Sequence, residues 1–522
     1  SRLAAQTPGQ LTVKVNVMTE VRIVSGGGNG LFSTKTFANG NLILEEKPLL
    51  HVFPLSDDEA SVLQEEFLGT EKESKLKGKA SKSKEAKLWD AIVPPSSVPS
   101  SSQGTFRGIV QVGMCWIQRE ASITEPVKGS LLDLYYPKDG TLSESEKSIV
   151  NLAQEALQYL KDHLPDSKKG FQDWSTLEKV LLIWACNSFE GGRIYKEISR
   201  INHSCNPNAI VQVDGETQRI IAATDIGIDE EITISYLGLI IYAETSVRQE
   251  KLRNTKYFEC ECQRCRNPED KAACIPCPVC HPREQPQQSL DEDVQYDDEQ
   301  TVTYVTLRGP NCAKCATSPS ENTKLQVVMK NVTSKVVTYL DTFGNKSQSQ
   351  TTARHDDKSD DNDQDDDDEE VTVLEEHLGL ASSIMGDGHW TTNLLKLLHL
   401  DRRLSLMSQA MLTTQELPEM EDIAEAIDSL QRVERFVQSL KLKLDGGHIL
   451  GDVIIGVART LVSLGDIKSQ QYASEWLEKI ADYIEKFEGE GKQKVVAALK
   501  VAWKKHETSS NDDGPVKKKS KS

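Results

Sequence analysis

The chain has 522 residues, 38% hydrophobic and 27% charged, and a net charge of -19. That length exceeds what one core normally serves and predicts roughly two or three domains. The acidity argues against a protein that coats nucleic acid nonspecifically. No run of about 18 apolar residues occurs, and no basic segment followed by an apolar one opens the chain, so neither a membrane-spanning nor a secreted protein is expected.

Residues 1–19 read as a tail. From Glu20 to Phe53 the pattern is extended: Val21 and Ile23, then Leu42-Ile43-Leu44 and Leu49-Leu50, frame a turn built on Gly26-Gly27-Gly28-Asn29-Gly30. Two strands joined by a glycine-rich loop are predicted over residues 20–55. Residues 56–175 read as an insertion, partly flexible and partly helical. Seven lysines fall between Lys72 and Lys87, followed by serine and proline up to Ser102, which predicts a flexible middle. Apolar side chains recur at helical spacing in Glu146–Leu164 (Ile149, Leu152, Ala156, Leu157, Leu160) and in Leu177–Phe189 (Val180, Leu181, Trp184). Within residues 176–255, the runs Ala209–Val213, Arg219–Ala223 and Glu231–Tyr236, separated by turn residues, predict a small meander of strands.

All but two of the eleven cysteines, Cys115 and Cys186, lie between Cys205 and Cys315, several only two or three positions apart. Such spacing reads as zinc ligation in a reducing compartment rather than as disulfides. Cys260, Cys262 and Cys265 are three thiolates short of a fourth, and Cys205 is the candidate to complete a closed structural site. Cys277, Cys280, Cys312 and Cys315 form two Cys-x-x-Cys pairs, separated by 31 residues, for a second site, with Cys274 and His281 as competing ligands. These cysteines fall in a segment 256–320. A linker, 321–370, follows: between Asp356 and Glu370 eleven acidic residues face one lysine, Lys358, and self-repulsion predicts a solvated, disordered stretch, an acidic mimic for basic partners such as histone tails being the other reading. Residues 371–506 are leucine- and alanine-rich, with periodic segments Asn393–Leu412, Ile423–Leu444, Ile449–Leu464 and Gln471–Phe487, which predicts antiparallel helical hairpins of tetratricopeptide type. The tail, 507–522, ends in Pro515-Val516-Lys517-Lys518-Lys519-Ser520-Lys521, a candidate nuclear import signal.

The run Ser199-Arg200-Ile201-Asn202-His203-Ser204-Cys205-Asn206-Pro207-Asn208-Ala209, the strand ending in Ser235-Tyr236, and Cys260-Glu261-Cys262-Gln263-Arg264-Cys265 follow one another in a fixed order. Together they resemble a SET-domain protein methyltransferase. The resemblance implies an α+β fold of small sheets and a knotted active-site core, a zinc-binding segment after it, and S-adenosylmethionine as donor. Methyl transfer from a sulfonium to an amine is an in-line displacement, so a protein must align donor and nucleophile and keep water out. By the same resemblance Gly28, Asn29 and Gly30 contact the amino-acid end of the donor, Asn202 and His203 face its adenine, and Tyr236 is the catalytic tyrosine that orients the methyl group.

Cys186-Asn187-Ser188-Phe189, the helix with Arg248 and Arg253, and Phe258-Glu259-Cys260 narrow the likeness to the SET-and-MYND (SMYD) branch of lysine methyltransferases, over about Glu20 to Pro268 without the insertion. There the residue matching Asn187 touches the donor and the one matching Phe258 packs beside adenosine. Two departures stand out. The cysteine-rich MYND finger is missing, since no cysteine precedes Cys115. The aromatic that lines the lysine channel is replaced by Lys256, with Tyr257 one step later; Ser188 lies at the same channel. A cation at that position would repel a lysine substrate unless Tyr257 turns inward. The expectation is a monomeric protein-lysine methyltransferase of the nucleus or cytoplasm, acting on a histone or non-histone lysine without direct nucleic-acid contact; the rival is a catalytically inactive SET-type zinc scaffold that holds protein partners.

Overall fold

The computed structural model describes residues 18–24, 28–52, 55–69, 83–138, 142–189, 192–214, 217–277, 279–280, 304–306, 312–316, 327, 329–338, 340, 363–413, 420–444, 454–459, 467–487 and 492–501. Two compact units divide the chain, one of residues 1–236 with 249–260, the other of 237–248 with 261–522.

In the first unit, β1 (Thr19–Ile23) and β2 (Asn29–Ser33) form an antiparallel hairpin. A three-stranded antiparallel sheet has β3 (Leu42–Glu46) and β5 (Ala209–Asp214) on either side of β6 (Thr217–Ala222). A third, two-stranded sheet is parallel: β4 (Asn202–His203) lies beside β7 (Thr233–Ile234), Asn202 opposite Thr233 and His203 opposite Ile234. Alternation on these short strands sends Leu31, Ile43, Ile220, Ile232 and Ile234 into one small core with Tyr195, Ile198 and Ile201.

Helices make the rest of the unit: α1 (Asp57–Leu63), α2 (Lys84–Ala91), α3 (Gln103–Arg119), α4 (Glu125–Leu132), α5 (Glu144–Asp162) and α6 (Trp174–Asn187). At the centre runs α3, buried continuously from Gly108 to Ile117. A β-carbon on Gly113 would come within 2.2 Å of Leu160 Cδ1, so its absence lets α5 approach α3 closely. Asp173 caps α6, accepting from the Thr176 amide at 3.3 Å, and the helix delivers Asn187 at its last turn.

The second unit opens with the first residues of α7 (Thr245–Lys256), followed by α8 (Gln263–Arg266), the antiparallel pair β8 (Cys274–Pro276) and β9 (Tyr304–Thr306), then α9 (Asp363–Met385), α10 (Trp390–Thr413), α11 (Met420–Ser439) and α12 (Ile467–Phe487). Arg248 is fully buried there, its guanidinium 3.6 Å from Asp270, whose carboxylate also accepts from the Thr245 hydroxyl at 2.7 Å. Among the described residues, no helix is long and apolar enough to cross a membrane.

The structure departs from the sequence expectations at several places. The strand after the glycine loop starts at Asn29 itself, adding β2 to the two strands expected, because Asn-Gly here pairs with Ile23 and Arg22 rather than turning. Leu50 contributes one isolated bridge to Ile194, and the run Glu231–Tyr236 shortens to β7. The periodicity reading overlooks α3, although its polar residues Gln103, Arg107, Gln111 and Gln118 fall on one face. The later part of the acidic run is helical, α9 beginning at Asp363, while residues 356–362 lie outside the described residues. The lysine-rich middle of the insertion, residues 70–82, and the basic tail lie outside the described residues.

Removing Arg248 would leave Asp270 buried without its cation. Arg248→Met is expected to lower the unfolding free energy by about 3–5 kcal/mol, measured by urea denaturation, and Asp270→Asn in the same chain should recover part of the loss.

Candidate functional site

A cavity of about 430 Å³ opens in the first unit beside the parallel strand pair. Four segments build it. Gly28 and Asn29 come from the loop into β2, Asn187 and Cys186 from the end of α6, Asn202 from β4, and Tyr236, Lys256, Tyr257 and Phe258 from beyond β7 and the end of α7. Asn202 ties two of them together: its amide nitrogen donates to the Asn29 carbonyl at 3.1 Å and to Glu231 Oε1 at 2.8 Å. Gly30 is off the cavity wall, but a β-carbon there would sit 2.6 Å from Glu231 and 3.1 Å from the Asn202 amide, so only glycine lets this crossing form.

Asn187 commits its amide nitrogen to the carbonyls of Tyr135 and Ile183, each at 2.7 Å. Toward the cavity it can therefore offer an acceptor but no further proton. Ser188 does not line the cavity; it enters through its backbone carbonyl, which accepts from Lys256 Nζ at 3.0 Å.

His203 also lies off the wall, and its surroundings fix its tautomer. The Tyr236 backbone N–H donates to His203 Nδ1 at 3.1 Å, so Nδ1 is an acceptor and the proton rests on Nε2, 3.3 Å from Cys205 Sγ. The imidazole thus links the tyrosine backbone to a thiol. Its ring stands 5.3 Å from that of Tyr236 and 6.2 Å from that of Phe258, and Tyr236 meets Phe258 edge-on at 6.4 Å. The Tyr236 hydroxyl donates to the Ile201 carbonyl. Burial, with the Glu231 carboxylate adding to it, raises the phenol pKa well above its ordinary value, so the group is a proton-bearing donor at neutral pH.

Lys256 Nζ stands 5.5 Å from the centroid of the Tyr236 ring, and burial lowers its pKa, with the Cys186 thiol opposing the shift. Tyr257, next in sequence, has φ 64°, a left-handed conformation rare for a bulky residue. That turn at the end of α7 brings Lys256, Tyr257 and Phe258 all onto one wall.

The insertion also lines the cavity, through Tyr135, Pro137, Ser143 and Glu146. Ser143 and Glu146 form a capping box at the start of α5, the Glu146 amide bonding Ser143 Oγ at 3.2 Å and the Ser143 amide bonding Glu146 Oε2 at 2.8 Å, while Tyr135 donates to Glu146 Oε1 at 2.7 Å. Sequence reasoning overlooked these wall residues, though Ser-x-x-Glu before an apolar run is a legible helix-start signal. Arg200, bonded to Asp133 at 2.6 Å, and Glu259 complete the rim.

Among the described residues there are two groups of four cysteines, and within each the sulfurs lie within 4.8 Å of one another: Cys205, Cys260, Cys262 and Cys265, and Cys277, Cys280, Cys312 and Cys315. All are unbridged. Four sulfurs at about 2.3 Å from one zinc ion stand roughly 3.8 Å apart at the corners of a tetrahedron, and the Cys205–Cys260, Cys277–Cys315 and Cys280–Cys312 separations are 4.0, 3.5 and 3.6 Å. Both groups fit zinc. Cys274 belongs to neither: it sits in β8, and burial pushes its thiol up to about 11. His281 lies outside the described residues. Metal analysis of the purified protein should give two zinc ions per chain, one for each four-cysteine group, and Cys277→Ser with Cys312→Ser should reduce this to one.

Residues 28–237 match the family model described as SET domain. The chain is 29% identical over 156 residues to the histone-lysine N-methyltransferase SMYD3 of Homo sapiens, covering 28% of this chain and 35% of that protein. It is 32% identical over 112 residues to the N-lysine methyltransferase SMYD2 of Homo sapiens, covering 20% and 25%. To the putative SET domain-containing protein L678 of Acanthamoeba polyphaga mimivirus it is 30% identical over 149 residues, covering 27% and 57%. The matched region thus spans about a third of the SMYD3 relative's length.

Proposed function

This chain carries an SMYD-like SET domain, and from that premise we propose that it transfers a methyl group from S-adenosylmethionine to a lysine side chain of a protein. The observation that carries the reading is the meeting of Gly28, Asn29, Asn187, Asn202, Tyr236 and Phe258 around one cavity, although they come from segments far apart in sequence. The donor, when bound, supplies an electrophilic methyl on a sulfonium; what remains for the protein is alignment, charge complementarity and exclusion of water.

Gly28 and Asn29 offer backbone close to the ligand, and the Asn202 bridge holds that loop against β4. Asn187 presents an acceptor, suited to a donor ammonium or amine. Phe258 gives the adenosine an apolar face. Tyr236, kept protonated by burial and anchored at both its amide and its hydroxyl, presents a fixed ring beside the reacting position. Zinc in the group containing Cys205 would be structural, since four thiolates leave no open position. Bound zinc would also make Cys205 a thiolate, strengthening its bond from His203 and so the placement of Tyr236. We read the C-terminal helices as tetratricopeptide-like, the acceptor as a histone or another protein, and the setting as nucleus or cytoplasm.

The test is radiolabelled methyl transfer to a proteome extract by zinc-loaded protein. Tyr236→Phe is expected to lower the rate roughly 10²-fold, the size typical for loss of one electrostatic contact at a reacting group, with zinc content and circular dichroism unchanged. No transfer by a folded, zinc-loaded wild type would overturn the proposal.

A further inference from the structure

Lys256 is placed unlike a structural lysine. Such a side chain normally runs its methylenes along the surface and keeps its ammonium in water or against a carboxylate. Here the amine turns inward from the last residue of α7, donates to the Ser188 carbonyl at 3.0 Å and lies over the face of Tyr236. The left-handed Tyr257 that follows holds it there, because the chain must reverse to bring Phe258 to the same wall. An amine met by a carbonyl oxygen and an aromatic ring, beside the tyrosine proposed to orient the methyl, occupies the place an incoming lysine needs.

We propose that Lys256 is itself a methyl acceptor, modified in cis by its own cavity. The inference rests on the methyltransferase reading above. In the step, the lone pair of neutral Nζ forms the new N–C bond as the C–S bond of S-adenosylmethionine breaks. Its electrons stay on sulfur to give S-adenosylhomocysteine, and the positive charge passes from sulfonium to ammonium. An amine that starts protonated first releases that proton to solvent, and withdrawal from water favours the release. Each methyl replaces an N–H, so successive transfers weaken the bond to Ser188 while the cation keeps its attraction to the Tyr236 ring. Self-modification thereby changes what a target lysine meets in the channel.

The experiment incubates the full-length, zinc-loaded protein with S-adenosylmethionine bearing a deuterated methyl and maps the peptide containing Lys256 by mass spectrometry. The expected result is label on Lys256, appearing at a rate constant unchanged by dilution of the protein and lowered roughly 10²-fold in Tyr236→Phe. Label that slows on dilution, or that forms at an unchanged rate in Tyr236→Phe, overturns transfer in cis by this site. Labelled lysines in a proteome extract with Lys256 unlabelled overturn this inference and leave the methyltransferase reading standing. Absence of label everywhere, together with absence of donor binding by calorimetry, removes both. Lys256→Arg, checked for fold by circular dichroism and zinc content, should carry no label on that peptide; label persisting there would mean that another residue is the acceptor.

Discussion

One short parallel strand contact organises the first unit. Residues 202–208 have almost no regular structure of their own, yet β4 lies along β7 and the Ser204 amide continues the contact by donating to the Ile234 carbonyl at 3.0 Å. Asn208, almost fully buried, locks the far end: it accepts from the Thr233 amide at 2.8 Å and donates to the Glu231 carbonyl at 2.9 Å. A buried amide that leaves such groups unmatched is costly, so the sequence must place asparagine there. With this pairing in place, the strand partner of Asn202 and His203 leads two residues later to Tyr236, and the hairpin loop at Asn29 is reached by the Asn202 side chain.

A second linkage runs through His203. A thiol on one side and the tyrosine amide on the other give the imidazole a single tautomer, so the metal group and the cavity share one side chain. The same economy appears in Glu46, whose carboxylate accepts from the amides of Lys196, Glu197 and Ile198 and holds the approach to β4; burial raises its pKa even as these bonds lower it. Lys256 is another inward charge-bearing group, its amine bonded to the Ser188 carbonyl just before the left-handed Tyr257.

Part of the site was legible in the sequence. Cys260, Cys262 and Cys265 with Cys205 could be grouped by spacing and need, and they form one group of sulfurs; Asn187, Asn202, Tyr236 and Phe258 were singled out by the family resemblance, and these four line one cavity. His203 was expected at the cavity but turns to Cys205, a choice made by a hydrogen bond between residues 33 positions apart that no local pattern encodes. The insertion was harder to read. Its central helix α3 contains Gly108 and Gly113, which look like breakers until Trp184 and Leu160 are seen to need the space. The wall made by Tyr135, Ser143 and Glu146 was hidden for a related reason: its position depends on α5 packing against α3, a long-range consequence of burial.

The account depends on the cavity between the Gly28 loop and Phe258 being a donor site. Titration calorimetry of S-adenosylmethionine into the folded, zinc-loaded protein, alongside Asn202→Leu, tests this most directly. Saturable binding at one site per chain, abolished or strongly weakened when the bridge from Asn202 to Asn29 and Glu231 is removed, is the predicted result. Absence of heat and of competition by S-adenosylhomocysteine in the intact protein, or binding indifferent to the Asn202 substitution, would contradict it.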